Sequence, residues 1–304
     1  MSRSAAVVLD GGLSNALEDR GHDLTGDLWT ARLLRDAPQE IAAVHRTYFA
    51  AGARVATTAS YQASIEGFSR LGLSRADAEA LIGHSVLLAR NVRDDLAEDG
   101  VERWVAASVG PYGAALADGS EYRGRYGVTA TRLRAFHRPR LELLASAGPD
   151  LIAVETIPDV DEAAVLVELL DDIDLPAWFS YSAAGLKTRA GQPLEEAFHL
   201  AFSARSVVAI GVNCCAPGDV LPAVRLAVET TGLPAVAYPN RGESWDPIRR
   251  TWTGPGGFNP ALGTAWVDAG AGYVGGCCRV GPRDIAALVD AVLGSPDQAS
   301  HVAC

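Results

Sequence analysis

The sequence predicts an α/β chain folded as a single-domain (β/α)8 TIM barrel, and three observations carry that prediction. Eight short apolar or β-branched runs recur along the 304 residues, each ending in polar residues or glycine. Segments of helical period separate most of them, the alternation that gives parallel strands with helical crossovers. The length suits a closed barrel, which takes about 250 residues or more, with residues 1–304 as one domain and a core at about 5–295. A doubly wound sheet ranks second.

In chain order the first run, Val7–Leu9, closes on Asp10 and a glycine pair. A helical segment over Pro38–Ala51 leads to the second run, Arg54–Thr58, and one over Ser74–Glu98 leads to the third, Trp104–Ser108. Thr129–Ala147 precedes the fourth run, Leu151–Glu155, and Val160–Leu170 precedes the fifth, Ala177–Tyr181. Leu194–Ser203, Ala216–Thr231 and Pro260–Ala269 precede Val208–Asn213, Ala235–Tyr238 and Tyr273–Gly276, and Pro282–Leu293 closes the pattern. Asp10, Thr58, Ser108, Glu155, Ser180, Cys214, Asn240 and Cys277 fall at or just past the C-terminal ends of these strands, the face on which a barrel assembles its chemistry.

Composition narrows the function. The chain is 48% hydrophobic and 21% charged, enough to bury a large core. Its net charge of −11 comes with no basic stripe, which argues against a nucleic-acid partner whose phosphates need neutralising. No run approaches the roughly 20 apolar residues of a membrane span, and the N-terminal apolar stretch is too short for a secretory signal. Five cysteines, an odd number, fit a reducing cytosol better than a disulfide framework, and Cys304 reads as an incidental tail residue.

Two of the cysteine patches are glycine-flanked: Cys214 in GVNCCAP, and Cys277 with Cys278 in GGCCRV. Three thiolates form an open zinc site, since zinc takes four ligands in tetrahedral geometry and a catalytic site keeps one position free. The barrel order puts Cys214 after strand six and Cys277 after strand eight, with one strand between them. Neighbouring residues of a strand point to opposite faces, so Cys277 and Cys278 share an ion only where the backbone swings, a freedom Gly275 and Gly276 offer. Two other readings stay open here: cysteines as small buried hydrophobes, and a vicinal redox pair. Cys215 also competes with Cys214 for the same ion.

With those residues in view, the chain resembles the homocysteine S-methyltransferase family, in its S-methylmethionine-using branch, nearly end to end. The resemblance is carried by LDGGLSNALEDRG at residues 9–21, TASYQAS from Thr58, SVGPYGAALADGSEYRG from Ser108, FHRPR from Phe136, ETIP from Glu155, GVNC from Gly211, YPNRGE from Tyr238 and GGCCR from Gly275. It implies a barrel whose zinc thiolates are Cys214, Cys277 and Cys278, with homocysteine and a methylsulfonium donor as partners and methionine as product. It also implies that Asp10 and Glu155 read the substrate ammonium, and that the loop at Pro239–Gly242 lies near the metal. S-adenosylmethionine offers the same methylsulfonium and is a secondary donor.

Asp10 has a second reading as a cap for the turn after strand one, whereas an acid ending the apolar run LIAVE needs a buried partner. Aromatic faces bind onium groups; Trp29 matches a position where the betaine-using branch contacts its donor, and Tyr61, then Tyr112, are further wall candidates. Asn213 is taken to orient substrate or metal ligands. Ser108 and Thr156 are lining residues or ordinary strand-end hydrogen bonders. His45, His84, His137 and His199 sit in helical patterns without metal-ligand spacing. Thr156 stands where the betaine branch carries Tyr, and that branch's long C-terminal extension is missing, both favouring S-methylmethionine. The segment 183–193 diverges from its relatives and is a candidate cover for the donor. The competing functions are a homocysteine enzyme using another donor and a non-catalytic thiol protein. Nothing in the chain fixes an oligomeric state.

Overall fold

The computed structural model of the chain describes residues 6–24, 28–246 and 251–294, without the side chains of Trp29 and of residues 244–246 and 251–252. Its wall consists of the strands Val7–Val8, Val55–Thr57, Trp104–Val109, Leu151–Ile157, Ala177–Ala184, Val207–Asn213, Ala235–Tyr238 and Ala271–Val274, all paired in parallel. Each pairs with its neighbour in sequence from the second to the eighth, and the eighth pairs with the first. A bridge between Leu9 and Val55, with the Arg54 amide donating to the Val8 carbonyl at 2.7 Å, brings the first and second strands together. The barrel and its strand order are those expected from the runs.

The strand period of two sorts the side chains into two cores. Leu9, Val55, Ala106, Leu151, Ala153, Trp178, Ala209, Val236 and Tyr238 pack together inside the barrel. Their neighbours, including Val105, Ile152, Val154, Phe179 and Ile210, face the helices. Alanines at 106, 153 and 209 leave space that one large side chain fills: Trp178 is fully buried, with ring centroids 6.0 Å from Tyr238 and 6.2 Å from Tyr273. Its indole N–H donates to the Tyr238 hydroxyl at 3.0 Å, so the polar tip is satisfied.

The crossover helices stand where the helical period places them, from Pro38–Ala50 to Pro282–Leu293. Ser74, Thr129 and Asp159 accept the orphan amides of Asp77, Arg132 and Asp161 at three of their starts. The additions lie in loops. Short helices at Leu13–Glu18, Trp29–Asp36, Ile65–Arg70 and Tyr112–Leu116 follow the first three strands on the catalytic side. The fifth strand runs three residues past the expected Tyr181 because Ala183 and Ala184 pair antiparallel with Thr188 and Lys187. The divergent segment is therefore a hairpin tied to the barrel wall. Among the described residues no helix is long and apolar enough to cross a membrane. Cys304 lies outside the described residues.

Gly211 lets strands six and seven approach, since a Cβ there would sit 2.0 Å from the Val236 carbonyl oxygen. Gly211→Ala is expected to cost about 3 kcal/mol of unfolding free energy, read as a lower urea midpoint. Gly218→Ala, on a helix and facing open space, should leave the midpoint unchanged or raise it.

Candidate active site

Cys214 follows strand six with φ +51°, a left-handed conformation uncommon outside glycine. That turn separates two adjacent thiols. Cys214 enters the mouth of the barrel, while Cys215 is fully buried in the core between sheet and helices, where burial pushes its thiol well up. Of the two thiols, Cys214 is the one that lines the cavity.

Cys277 and Cys278 follow the eighth strand. The glycines before them act differently from the expectation, because neither Gly275 nor Gly276 adopts a positive φ. They are required by crowding: a Cβ on Gly276 would lie 2.1 Å from Val280 Cγ1, and one on Gly275 would lie 2.7 Å from Leu9 Cβ. The left-handed turn falls later, at Arg279, with φ +66°. The turn after strand seven then fastens the loop. The Cys277 amide donates to the Pro239 carbonyl at 2.8 Å, the Cys278 amide to Asn240 Oδ1 at 3.2 Å, and the Arg241 amide to the Cys278 carbonyl at 2.9 Å.

The three sulfurs lie within 4.8 Å of one another, with Cys214 Sγ and Cys278 Sγ 3.7 Å apart. Tetrahedral metal–thiolate bonds of about 2.3 Å require sulfurs about 3.8 Å apart, so the donor set fits one ion and leaves a fourth position. Hydrogen bonds from the Cys277 and Cys278 thiols pull the Cys214 thiol well below its ordinary range, and the same contacts push theirs up. The Tyr122 hydroxyl, whose ionisation burial disfavours, lies at hydrogen-bond distance, 3.4 Å, from Cys214 Sγ. Arg189, from the hairpin, donates to Ser182 Oγ at 3.2 Å and reaches the Cys214 carbonyl at 3.4 Å.

Asp10 and Glu155 line the same cavity and are 4% and 7% exposed. Asp10 is not a helix cap: the helix that follows has Gly12 at its N-cap and no side-chain cap bond. Its oxygens accept from the Thr57 amide at 2.7 Å and the Thr57 hydroxyl at 2.8 Å. Glu155 accepts from Ser108 Oγ and, at 3.1 Å, from the Tyr238 hydroxyl. Burial pushes both carboxyls up to about 7, against the lowering effect of those hydrogen bonds.

A bulge aims Glu155. The pairing of strands four and five shifts register between Val154 and Ile157, and Thr156 has φ +62°, strained for a β-branched residue. Asn213 holds that strain. Its Oδ1 accepts from the Thr156 amide at 2.7 Å and from Ser180 Oγ at 2.8 Å, and its Nδ2 donates to Thr156 Oγ1 at 2.7 Å. Asn213, expected to bind or orient substrate or to orient metal ligands, is fully buried, with its amide committed to Thr156, the residue after Glu155, and to Ser180.

Tyr61 lines the cavity, its ring against Gly110, where a Cβ would meet it at 2.5 Å. Arg140, fully buried, donates to the carbonyls of Ser60, Tyr61 and Gly110 and so fixes that wall. Tyr112 packs instead against Tyr126 and Phe136. Trp29 opens its helix, and its side chain lies outside those described. His45 is buried with neither ring nitrogen hydrogen-bonded among the described residues, and His137 bonds Glu162 Oε1 at 2.8 Å. Sequence reasoning missed Tyr122, Tyr238 and Arg140. A buried tyrosine at the end of an apolar run needs a hydrogen-bond partner, a signal that points to Tyr238; no such signal marks Tyr122.

A closed parallel barrel brings three thiols, placed as one metal ion requires, beside two buried carboxylates, the arrangement of a barrel enzyme's catalytic face. The chain belongs to the homocysteine S-methyltransferase family, whose model matches residues 7–292, and it is a methyltransferase. Homocysteine S-methyltransferase YbgG of Bacillus subtilis is 42% identical over 289 residues, 92% of each chain. Homocysteine S-methyltransferase 4 of Zea mays is 44% identical over 305 residues, covering 94% of this chain and 89% of that one. The metallated form of the homocysteine methyltransferase MmuM from Escherichia coli matches in structure with a TM-score of 0.83 at 42% identity, over 94% of this chain and 96% of that one.

Replacing Cys214, Cys277 or Cys278 singly by Ala is expected to abolish metal retention, measured by elemental analysis of purified protein. Cys215→Ala should retain it at wild-type stoichiometry.

Proposed function

We propose that the protein transfers a methyl group from S-methylmethionine to the thiolate of homocysteine, giving methionine, with zinc held by Cys214, Cys277 and Cys278. The observation that carries this reading is the meeting of three sulfurs, one coordination position short of a closed site, with two carboxylates in one cavity. Zinc in that site supplies ionisation of an incoming thiol, which in water has a pKa of about 8.5. Asp10 and Glu155 take the homocysteine ammonium by charge-assisted hydrogen bonds. Their placement fixes one end of a short amino acid while its sulfur points at the cysteines.

Methyl transfer forms one sulfur–carbon bond at homocysteine and breaks one at the sulfonium. The leaving sulfur keeps the electron pair, and the proton released is that of the thiol. A sulfonium suits this cavity because three thiolates on a divalent ion leave the site at about −1, and Tyr61 supplies an aromatic wall, with Trp29 the candidate second face. S-adenosylmethionine is the secondary donor. One domain in the reducing cytosol carries the whole reaction, with no nucleic-acid or membrane partner.

Cobalt-substituted protein tests the zinc and acceptor reading. Homocysteine should add thiolate charge-transfer intensity that methionine does not, and turnover should be highest with S-methylmethionine among sulfonium, betaine and methylcobalamin donors. An unchanged spectrum, or turnover only with betaine or methylcobalamin, would contradict it.

Because burial raises both carboxyl values, the free fold prefers their neutral forms, and the stability they confer at acid pH is lost as pH rises through about 7. A bound ammonium prefers the ionised forms. Methionine, which has no thiol to titrate, should therefore bind up to about tenfold more tightly at pH 8 than at pH 6, measured by calorimetry. Asp10→Asn should flatten part of that rise.

A further inference from the structure

A cation reaches Cys214 from outside the cavity. The hairpin of residues 183–193 turns at Gly185, φ +57°, and returns through Lys187 and Thr188 to Arg189. Its end is tied on two sides, with the Arg189 amide donating to the Ser182 carbonyl at 3.1 Å and the Ala190 amide to the Pro158 carbonyl at 2.9 Å. Gln192 Nε2 donates to Asp159 Oδ1 at 2.8 Å. That frame aims the side chain. Arg189 Nε donates to the buried Ser182 Oγ, Nη2 lies 3.4 Å from the Cys214 carbonyl, and the guanidinium carbon stands 6.0 Å from the Tyr122 ring centroid.

Inside the cavity that positive charge has no counterpart: among the described residues lining it none is Lys, Arg or His, while Asp10, Glu155 and three cysteines are present. Three thiolates on a divalent ion leave the centre at about −1, and the guanidinium meets that charge through two contacts. Its hydrogen bond to a carbonyl is made to a residue that supplies one of the three sulfurs, and Ser182 Oγ shares that carbonyl at 3.4 Å. Over Tyr122, a cation draws on the electron density of the ring face and so makes the phenol a stronger donor. The hydroxyl lies 3.4 Å from Cys214 Sγ. A metal-bound thiolate has no proton, so there the sulfur accepts, and hydrogen bonds to a ligand tune the metal it binds.

We infer that Arg189 is a positioning residue which, through the Cys214 carbonyl and the Tyr122 hydroxyl, withdraws negative charge from the Cys214 sulfur. The ion held there stays electrophilic enough to ionise an incoming thiol. The inference rests on the metal centre proposed above, and it gives the divergent hairpin an electrostatic task at that centre.

Cobalt-substituted protein reads the charge on sulfur, because a more electron-rich thiolate moves its charge-transfer band to lower energy. Arg189→Gln, which keeps a hydrogen-bond donor and removes the charge, should shift the band to lower energy and weaken homocysteine binding about threefold, the worth of one modest hydrogen bond. Arg189→Lys, which keeps the charge, should restore the wild-type band, and Lys187→Gln, at an exposed position of the same hairpin, should not move it. A band or a homocysteine affinity unaltered in Arg189→Gln, or a band moved equally in Arg189→Lys or Lys187→Gln, would overturn the assignment. Should Arg189→Gln fail to fold, Tyr122→Phe decides: a shift to lower energy supports the relay, and an unmoved band overturns it. Failure of the metal reading would show separately, as wild-type protein that takes up no cobalt.

Discussion

The convergence of three thiols from two distant loops on one point is the constraint the site is built around. Cys214 turns inward only because its backbone is left-handed, and Cys277 and Cys278 reach the same point only because Gly276 leaves room for Val280. The link between them is backbone hydrogen bonding. The turn after strand seven accepts or donates to both cysteine loops, with the Cys214 amide donating to the Tyr238 carbonyl and the Asn240 amide to the Cys215 carbonyl. Strand seven and its loop thus serve as a spacer between the two cysteine loops, although they contribute no thiol.

The carboxylates beside the sulfurs follow from the same crowding. Raising a carboxyl from its ordinary value to about 7 corresponds to about 4 kcal/mol against ionisation for Asp10. A single charge-assisted hydrogen bond is worth about 1.5–3 kcal/mol, so one such bond does not fully offset the burial. Tyr238 joins the cavity to the core, since its hydroxyl donates to Glu155 and accepts from Trp178.

Much of this was legible in the chain. The eight apolar runs and their helical spacers fixed the barrel, because strand and helix periods are local properties of the sequence. Glu155 was legible because an acid closing an apolar run needs a reason. What escaped reading depends on single dihedral angles and on contacts between loops. Sequence adjacency made Asn213 look like a substrate contact, yet its amide bonds the strained Thr156 amide instead. Gly275 and Gly276 were read as hinges and prove to be points of close approach. Tyr122 sits in a loop with no periodicity, so only the fold brings it to Cys214.

X-ray absorption at the zinc edge tests the central claim most directly. The account predicts three sulfur scatterers at about 2.3 Å with one lighter ligand in the resting protein, rising to four sulfurs when homocysteine is added. Four sulfurs before any substrate, or a coordination shell that homocysteine leaves unaltered, would contradict it.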